Sequence, residues 1–426
     1  MIRLSEIRLP LDSSDADLRQ AVADTLGISP TDLAEVHVHK RSFDARKKQL
    51  QQVFIVDVTL ADDAACTVTG LLQQHAGNSH IQPTPDMRWH APAHAPATLP
   101  ERPVVIGFGP CGMLAALALA QMGFKPIVLE RGKKVRERTK DTWGLWRKQV
   151  LTPESNVQFG EGGAGTFSDG KLYSQIKDPR HLGRKVMEEF VKAGAPEEIL
   201  YVARPHIGTF RLVKVVESIR EQIETLGGEI RFQQRVTDIE RDAAGALQAL
   251  HVHDLAAGQD YVLPARHAIF ALGHSARDSF TMLYERGVQM EAKPFSIGFR
   301  IEHPQSLIDQ ARWGVHAGHP LLGAADYKLV HHASNGRAVY SFCMCPGGTV
   351  VAATSEPGRV VTNGMSQYSR AERNANAGMV VGITPADFPQ LDPSLPAAEA
   401  LAQAEQLPPN VLERDGVGSG RDKAHP

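Results

Sequence analysis

The decisive stretch of this sequence is VVIGFGPCGMLAA, residues 104–116, in which an apolar run leads into the pattern G-x-G-x-x-G. A strand, a glycine turn and a helix in this order are typical of a dinucleotide-binding βαβ unit. Gly107 permits the turn out of the strand, Gly109 lets the backbone approach a pyrophosphate, and Gly112 lets the helix pack closely on the strand. The helix would direct its first N–H groups and its positive dipole end at that pyrophosphate. The stretch therefore predicts a dinucleotide site on a parallel sheet.

The residues that follow this stretch support the same unit. A second apolar strand, residues 125–129, ends at Glu130, which lies 23 residues after Gly107. An acidic side chain at this position accepts hydrogen bonds from an adenosine ribose. The sequence carries no second fingerprint for a separate nicotinamide domain and no C-x-x-C motif, which argues against a disulfide-reductase type of enzyme. Spacing alone leaves the choice between NAD and FAD open.

Composition narrows the class of protein. The 426 residues favour two or three domains, and the net charge of −2 argues against a nucleic-acid or membrane-surface partner. Four scattered cysteines suit neither a disulfide scaffold nor a zinc site, and we expect no metal. Residues 104–124 carry no charge, but their glycines cluster at the front, so a buried strand, turn and helix are favoured over a membrane span. With no secretory signal, the chain is predicted to be cytoplasmic.

Several motifs carry a family resemblance, and they lie at residues 40–47, 160–172, 205–209, 271–278, 293–298 and 342–348. Together with the glycine fingerprint they make the chain, over roughly residues 1–388, resemble the uncharacterised bacterial FAD-dependent dehydrogenases of the glutathione-reductase-like clan. The resemblance implies an α/β fold with a Rossmann-like FAD-binding domain, an inserted β-rich substrate domain and a small N-terminal α+β domain. It also implies bound FAD, which would exchange a hydride with an unknown small-molecule substrate, and it leaves NADH or NADPH open as the electron donor.

The predicted domain bounds follow composition and pattern. We expect an N-terminal α+β domain at residues 1–85, a Pro/Ala/His-rich linker at 86–101, the FAD-binding domain at 102–285, the β-rich substrate domain at 286–387 and an irregular tail at 388–426. The basic residues 40–48 fit either a solvated loop or a contact with an anion or partner. The glycine-rich G-D segment that closes the FAD site in this clan is not found after Asp387, which suggests truncation. A flavin-binding scaffold or inactive truncated flavoprotein is therefore the alternative to an active oxidoreductase. The sequence does not indicate an oligomeric state.

The cofactor residues are predicted from the fingerprint, the glycine-rich segment 160–172 and the resemblance. Glycines in 160–172 let backbone N–H groups face a phosphate or flavin edge, although a flexible lid is the alternative. Two of the arginines, Arg131 and Arg138, face either the pyrophosphate or solvent. The predicted set is Gly107, Gly109, Pro110, Cys111, Gly112, Glu130, Arg131, Arg138, Gly162, Gly163, Thr166, Val236, Gly273 and Arg277.

Four residues are candidates for the chemistry. His206 and His274 are of the residue type that exchanges protons near neutral pH, although either could be structural. Cys343 and Cys345 are two residues apart, so on a regular strand both would face one side. They would then serve as a thiol pair beside the flavin or as small apolar packing residues.

Overall fold

The structure is a computed structural model that describes residues 1–45, 49–174 and 176–387. Its helices are α1 (Asp15–Leu26), α2 (Val68–Gln74), α3 (Pro110–Gln121), α4 (Val135–Lys148), α5 (Leu182–Lys192), α6 (Thr209–Thr225), α7 (Arg277–Glu285) and α8 (Gln305–Trp313). Its strands are β1 (Ile2–Pro10), β2 (Leu33–Asp44), β3 (Gln51–Leu60), β4 (Ile81–Pro83), β5 (Val104–Ile106), β6 (Ile127–Glu130), β7 (Glu229–Phe232), β8 (Gln234–Arg241), β9 (Leu247–Asp254), β10 (Gln259–Pro264), β11 (Ala268–Phe270), β12 (Phe295–Pro304), β13 (Val330–His332), β14 (Ala338–Cys345), β15 (Gly348–Ala352), β16 (Thr362–Ser366) and β17 (Asn374–Ile383).

The chain forms two compact units. Among the described residues, the first unit contains those within 1–90, 171–207 and 310–323, and the second contains those within 91–170, 208–309 and 324–387. The first unit therefore combines the N-terminal α+β region with two later segments. The domain bounds expected from the sequence stay a prediction.

The first unit is built on an antiparallel sheet of order β2-β3-β1-β4. Helix α1 begins with a capping box between Ser14 and Asp17 and ends at Gly27, which adopts the left-handed conformation. Its apolar face joins the sheet in one buried core. Strand β2 pairs with β3 as far as Asp44, so residues 40–44 are ladder residues and the loop expected there is wrong for them. Residues 46–48 of the same basic run lie outside the described residues.

The second unit contains a parallel sheet of order β11-β5-β6-β7. Helix α3 connects β5 to β6, which confirms the βαβ unit predicted from residues 104–130 and the Rossmann-like α/β class. Antiparallel sheets of order β10-β9-β8, β12-β17-β14-β13 and β15-β16 complete this unit. Within the described residues, every helix is too short or too polar to span a bilayer.

Close contact between α3 and the turn after β5 fixes the geometry of the parallel sheet. A Cβ atom added to Gly112 would lie 1.9 Å from the carbonyl oxygen of Gly107 and 3.3 Å from the Cβ of Ala271. Gly107 itself has φ +95°, a conformation that favours glycine. The helix can therefore begin directly over the strand end only while both positions lack a side chain.

We predict that Gly112→Ala lowers the free energy of unfolding by about 2 kcal/mol, because the methyl group would push α3 off the β5 turn. Urea unfolding followed by circular dichroism measures the change. Gly144→Ala is the matched control, since Gly144 lies inside α4 and a Cβ there would meet only the Val150 carbonyl oxygen, at 3.7 Å. The control should gain about 0.5–1 kcal/mol from helix propensity. Equal stability of the two variants would contradict the packing argument.

Candidate functional site

A cleft of about 300 Å³ opens at the carboxyl end of the parallel sheet in the second unit. Ligands of open α/β sheets bind at this edge of the sheet. Its walls come from the turn after β5, the end of β6, the glycine-rich segment 158–165, the start of β8 and the segment after β11.

The first turn of α3 forms one wall of the cleft. Gly109 is its N-cap and supplies no side-chain oxygen, and Pro110 occupies the first helical position. The next N–H groups, those of Cys111 and Gly112, begin the helix without an intrahelical acceptor. A Cβ atom at Gly109 would find no heavy atom closer than the Gly163 Cα, at 3.6 Å. The backbone at Gly109 and Cys111 thus lines the cleft where a phosphate would need it.

The carboxylate of Glu130 lies at the end of β6 and is buried. Its Oε1 accepts hydrogen bonds from the backbone N–H groups of Gly132 (2.8 Å) and Gly160 (2.9 Å), and its Oε2 accepts one from Phe108 (2.7 Å). A carboxylate oxygen can accept two such bonds, so Oε2 retains an acceptor position. Glu130 therefore holds both glycine loops together and can still bind a hydroxyl.

Arg138 lies beneath the glycine-rich segment and is fully buried. Its guanidinium donates, at 2.6–3.3 Å, to the backbone carbonyl oxygens of Asn156, Val157, Gly160, Glu161 and Gly163. Burial lowers the pKa of Arg138 to about 10, against the attraction of Glu130 and Glu161, so the side chain stays a cation at neutral pH. The two expected positions, facing the pyrophosphate or facing solvent, are both wrong, because Arg138 is fully buried and its N–H groups are directed at the loop backbone.

A second buried ion ties the same segment to the helices. Glu161 accepts a hydrogen bond from the Val135 backbone N–H (2.7 Å) and pairs with Arg220 (2.8 Å). Burial raises the pKa of Glu161, while the bonds from Val135 and Arg220 oppose the rise. The pair fixes the segment to the start of α4 and to α6.

Arg131 lines the cleft but is already paired. It forms two hydrogen bonds to Asp278 (2.9 and 3.1 Å) and one to Glu154 (2.7 Å), and its guanidinium lies 4.2 Å from the centre of the Phe159 ring. Because two carboxylates neutralise its charge, Arg131 helps to hold the wall of the cleft in place and does not offer a free positive charge to a ligand.

The structure brings together ten of the predicted site residues around the cleft: Gly107, Gly109, Pro110, Cys111, Glu130, Arg131, Gly163, Val236, Gly273 and His274. Five predicted cofactor residues do not line it, namely Arg138, described above, and Gly112, Gly162, Thr166 and Arg277. Gly112 packs on Gly107, and Gly162 and Thr166 contact each other and the loop interior. The exposed Arg277 lies 3.4 Å from Glu356.

The cysteine pair departs from the expected geometry. The ladder between β14 and β17 shifts register between Phe342 and Cys345, and Cys343 has φ +47°. Because this irregularity breaks the alternation of the strand, the two cysteines do not face one side: Cys345 is fully buried and Cys343 is half-buried. The expectation of a thiol pair on one face is wrong.

His206 belongs to the first unit and forms an isolated antiparallel bridge with Lys171. It does not line the cleft, and its role stays a prediction. No group of three or more His, Cys, Asp or Glu side chains is arranged to hold a metal ion within the part of the chain that the structure describes.

Sequence reasoning missed a second cavity of about 280 Å³ next to the cleft. Both cavities are lined by Gln158, Ala164 and His274. The far wall comes from β12, β14, β17 and the start of β16. We call the place where the two cavities meet the junction. In the sequence, only the position of Gly163–Gly165 in the glycine-rich motif indicates it.

Comparison of the sequence with known proteins identifies the family of the chain. Residues 294–410 match the model of a family described as FAD-dependent protein, C-terminal domain-like, and residues 1–59 match a domain of unknown function. An uncharacterized protein of Clostridium beijerinckii is 43% identical over 388 residues, which make up 91% of this chain and 70% of that protein. The chain belongs to this uncharacterised family of FAD-dependent proteins.

Solved structures give weaker similarity. The FAD-complexed glycerol-3-phosphate dehydrogenase of Bacillus halodurans is 12% identical with a TM-score of 0.33, covering 71% of this chain and 51% of its own. The 3-ketosteroid-Δ4-(5α)-dehydrogenase of Rhodococcus jostii RHA1, solved with 4-androstene-3,17-dione, is 13% identical with a TM-score of 0.32, covering 59% and 68%. The chain thus spans about half the length of the first of these enzymes.

The residues of the cleft fit the FAD that the family description implies. The open side of Gly109 leaves space beside the α3 N-terminus for a pyrophosphate, and the remaining acceptor position of Glu130 suits a ribose hydroxyl. Val236 in β8 and Gly273 after β11 also line this space.

We predict that Arg138→Lys lowers the free energy of unfolding by about 3 kcal/mol or more, because a lysine cannot reach five carbonyl groups and each buried unsatisfied group costs about 1–3 kcal/mol. Urea unfolding measures the loss. Arg136→Lys is the control on the same helix, where the exposed side chain pairs with Glu217, and it should change stability by less than about 0.5 kcal/mol. An equally mild effect at Arg138 would show that the loop does not depend on it.

Proposed function

We propose that the protein is an FAD-dependent oxidoreductase that acts on a small-molecule substrate. The observation that carries this proposal is the junction of the two cavities, where the dinucleotide cleft and a second, substrate-sized space share Gln158, Ala164 and His274. A bound FAD supplies hydride transfer, and the protein supplies orientation and proton exchange.

The proposed cofactor contacts follow from the cleft geometry. The N–H groups at the start of α3 would bind the pyrophosphate, and Glu130 would accept a hydrogen bond from the ribose. The backbone around Val236 would contact the adenine. Arg138 and Glu161 act on these contacts indirectly, since they hold the glycine-rich segment in place.

His274 is the residue we propose for proton exchange with the substrate. Its side chain is exposed at the junction, and its Nδ1 lies 2.8 Å from the Ser275 hydroxyl. Ser275 therefore orients the ring, which leaves Nε2 to accept or donate a proton at a substrate oxygen or nitrogen. We propose NADH or NADPH as the electron donor to be tested first.

We predict that Gly109→Val reduces FAD affinity at least about tenfold, because its side chain would occupy the approach of the pyrophosphate, while its Cβ would lie no closer than 3.6 Å to a protein atom. The measurement is the visible absorption of purified protein after loading with FAD and dialysis. Gly144→Ala, outside the cleft, should retain FAD like the parent chain. A colourless parent protein would overturn the proposal, and unchanged flavin content in Gly109→Val would show that the pyrophosphate lies elsewhere.

We predict that His274→Asn slows reduction of bound flavin about 10²-fold or more when the reductant must lose a proton from an oxygen or nitrogen, while FAD content and reduction by NADH or NADPH stay unchanged. Anaerobic mixing with NADH, NADPH and a metabolite panel, followed in the visible spectrum, identifies a reductant and then measures its rate. His267→Asn, an exposed histidine before β11 that lines neither cavity, is the control. A chain that retains FAD but is reduced by no compound would favour the alternative, a flavin-binding scaffold.

A further inference from the structure

The residues that line the second cavity carry charge of one sign only. Its lining contains Arg300 and no acidic residue, and its other polar residues are Gln158, His274, Thr362 and Asn363. A cavity wall of this kind attracts an anion and repels a cation.

The floor of the cavity is one row across the sheet. Arg300 on β12 pairs with Gly378 on β17, and Gly378 pairs with Phe342 on β14. Residues in register across neighbouring strands project to the same face, so Arg300, Gly378 and Phe342 form one row in which the middle position carries no side chain. This missing side chain leaves room for a ligand over Gly378.

The guanidinium of Arg300 is anchored by uncharged groups only. Its Nη1 donates to Asn376 Oδ1 (2.6 Å) and to the Cys343 carbonyl oxygen (3.3 Å). Among the described residues, no carboxylate lies within 4 Å of it, and its Nε and Nη2 donate to no protein acceptor. This remaining edge is the one that binds a carboxylate through two parallel hydrogen bonds.

The backbone also makes room for this arginine. A Cβ atom at Gly364 would lie 2.5 Å from Arg300 Nη1, 2.5 Å from Asn376 Oδ1 and 2.7 Å from Cys345 Sγ. Only a glycine at this position of β16 lets the guanidinium sit against Asn376. Groups on three strands therefore fix the position of the guanidinium, although the arginine side chain itself is flexible.

The rest of the lining is apolar and open. Phe342 is 60% exposed, and Val361 and Val380 also line the cavity. Exposed aromatic area gains about 25 cal/mol per Å² when a ligand covers it. A ligand with an apolar body next to an anionic group would match both the apolar surface of the cavity and the positive charge of Arg300.

We propose that this cavity binds an organic carboxylate with an apolar or aromatic body, with the carboxylate on Arg300 and the body over Gly378 and against Phe342. The inference rests on the proposed function, since it names the substrate class of the oxidoreductase whose cofactor cleft shares His274 with this cavity.

The first test compares probes of matched shape by calorimetry on the full chain loaded with FAD. Benzoate has the required anion and ring, benzamide keeps the shape without the charge, and acetate keeps the charge without the ring. We expect benzoate to bind at least about tenfold more tightly than either of the others. Equal affinity for benzoate and benzamide would overturn the proposal.

The second test uses paired variants. Arg300→Gln should weaken benzoate binding at least about tenfold and leave benzamide unchanged, while Arg241→Gln, an exposed arginine that lines neither cavity, should change neither. Gly378→Val should fill the floor and weaken benzoate binding with Arg300 intact. Gly382→Val is its control on the same strand, where an added Cβ would meet no atom within 4 Å. Unchanged benzoate affinity in both Arg300→Gln and Gly378→Val would overturn the proposal.

The two proposals fail in different ways. Flavin content is read in the visible spectrum before each titration, so a parent chain that retains no FAD overturns the oxidoreductase, while calorimetry on that chain still measures benzoate at Arg300. A chain that retains FAD and is reduced, yet binds benzoate no better than benzamide, overturns the carboxylate site alone. If Arg300→Gln melts below the temperature of the assay, the probe series and Gly378→Val decide the outcome.

Discussion

A cation that never reaches solvent holds the dinucleotide cleft in shape. Arg138 donates hydrogen bonds to five carbonyl groups of the segment 156–163. Glu130 accepts hydrogen bonds from three backbone N–H groups of the neighbouring turns. Together they satisfy a glycine-rich backbone that could not otherwise be buried, since such segments have no side chains to pack. The pyrophosphate wall, the Arg131 cluster and the junction with the second cavity all depend on where this backbone lies.

The sequence predicted those parts of the site that short-range steric rules determine. The spacing of Gly107, Gly109 and Gly112 requires a strand, a turn and a close-packed helix, and the structure has them. The distance of Glu130 from Gly107 along the chain predicts its place in the site, because the βαβ unit fixes where the second strand ends. The antiparallel sheet that carries the second cavity left no comparable pattern, because its row of Arg300, Gly378 and Phe342 unites residues up to 78 positions apart (378 − 300).

Where prediction failed, long-range contacts decided the result. The sequence leaves Arg138 facing either the pyrophosphate or solvent, and the structure shows neither, because the five carbonyls that surround it cannot be inferred from the sequence. The strand alternation expected for Cys343 and Cys345 was broken by a register shift, which is a property of the pairing with β17 rather than of β14 alone. Residues 40–44 extend β2 because β3 offers a full-length partner, whatever their charge.

The arrangement around Arg138 also governs groups that the arginine does not touch. In a planar trans peptide, the N–H points away from the C=O. The Gly163 carbonyl is directed at Arg138, 2.8 Å away, so the N–H of Ala164 is turned to the opposite side, where Ala164 lines both cavities. The buried positive charge polarises this peptide in the same sense. Through this oriented peptide dipole, Arg138 affects the electrostatic potential at the boundary where cofactor and substrate would meet. Its own charge remains buried and contacts neither of them.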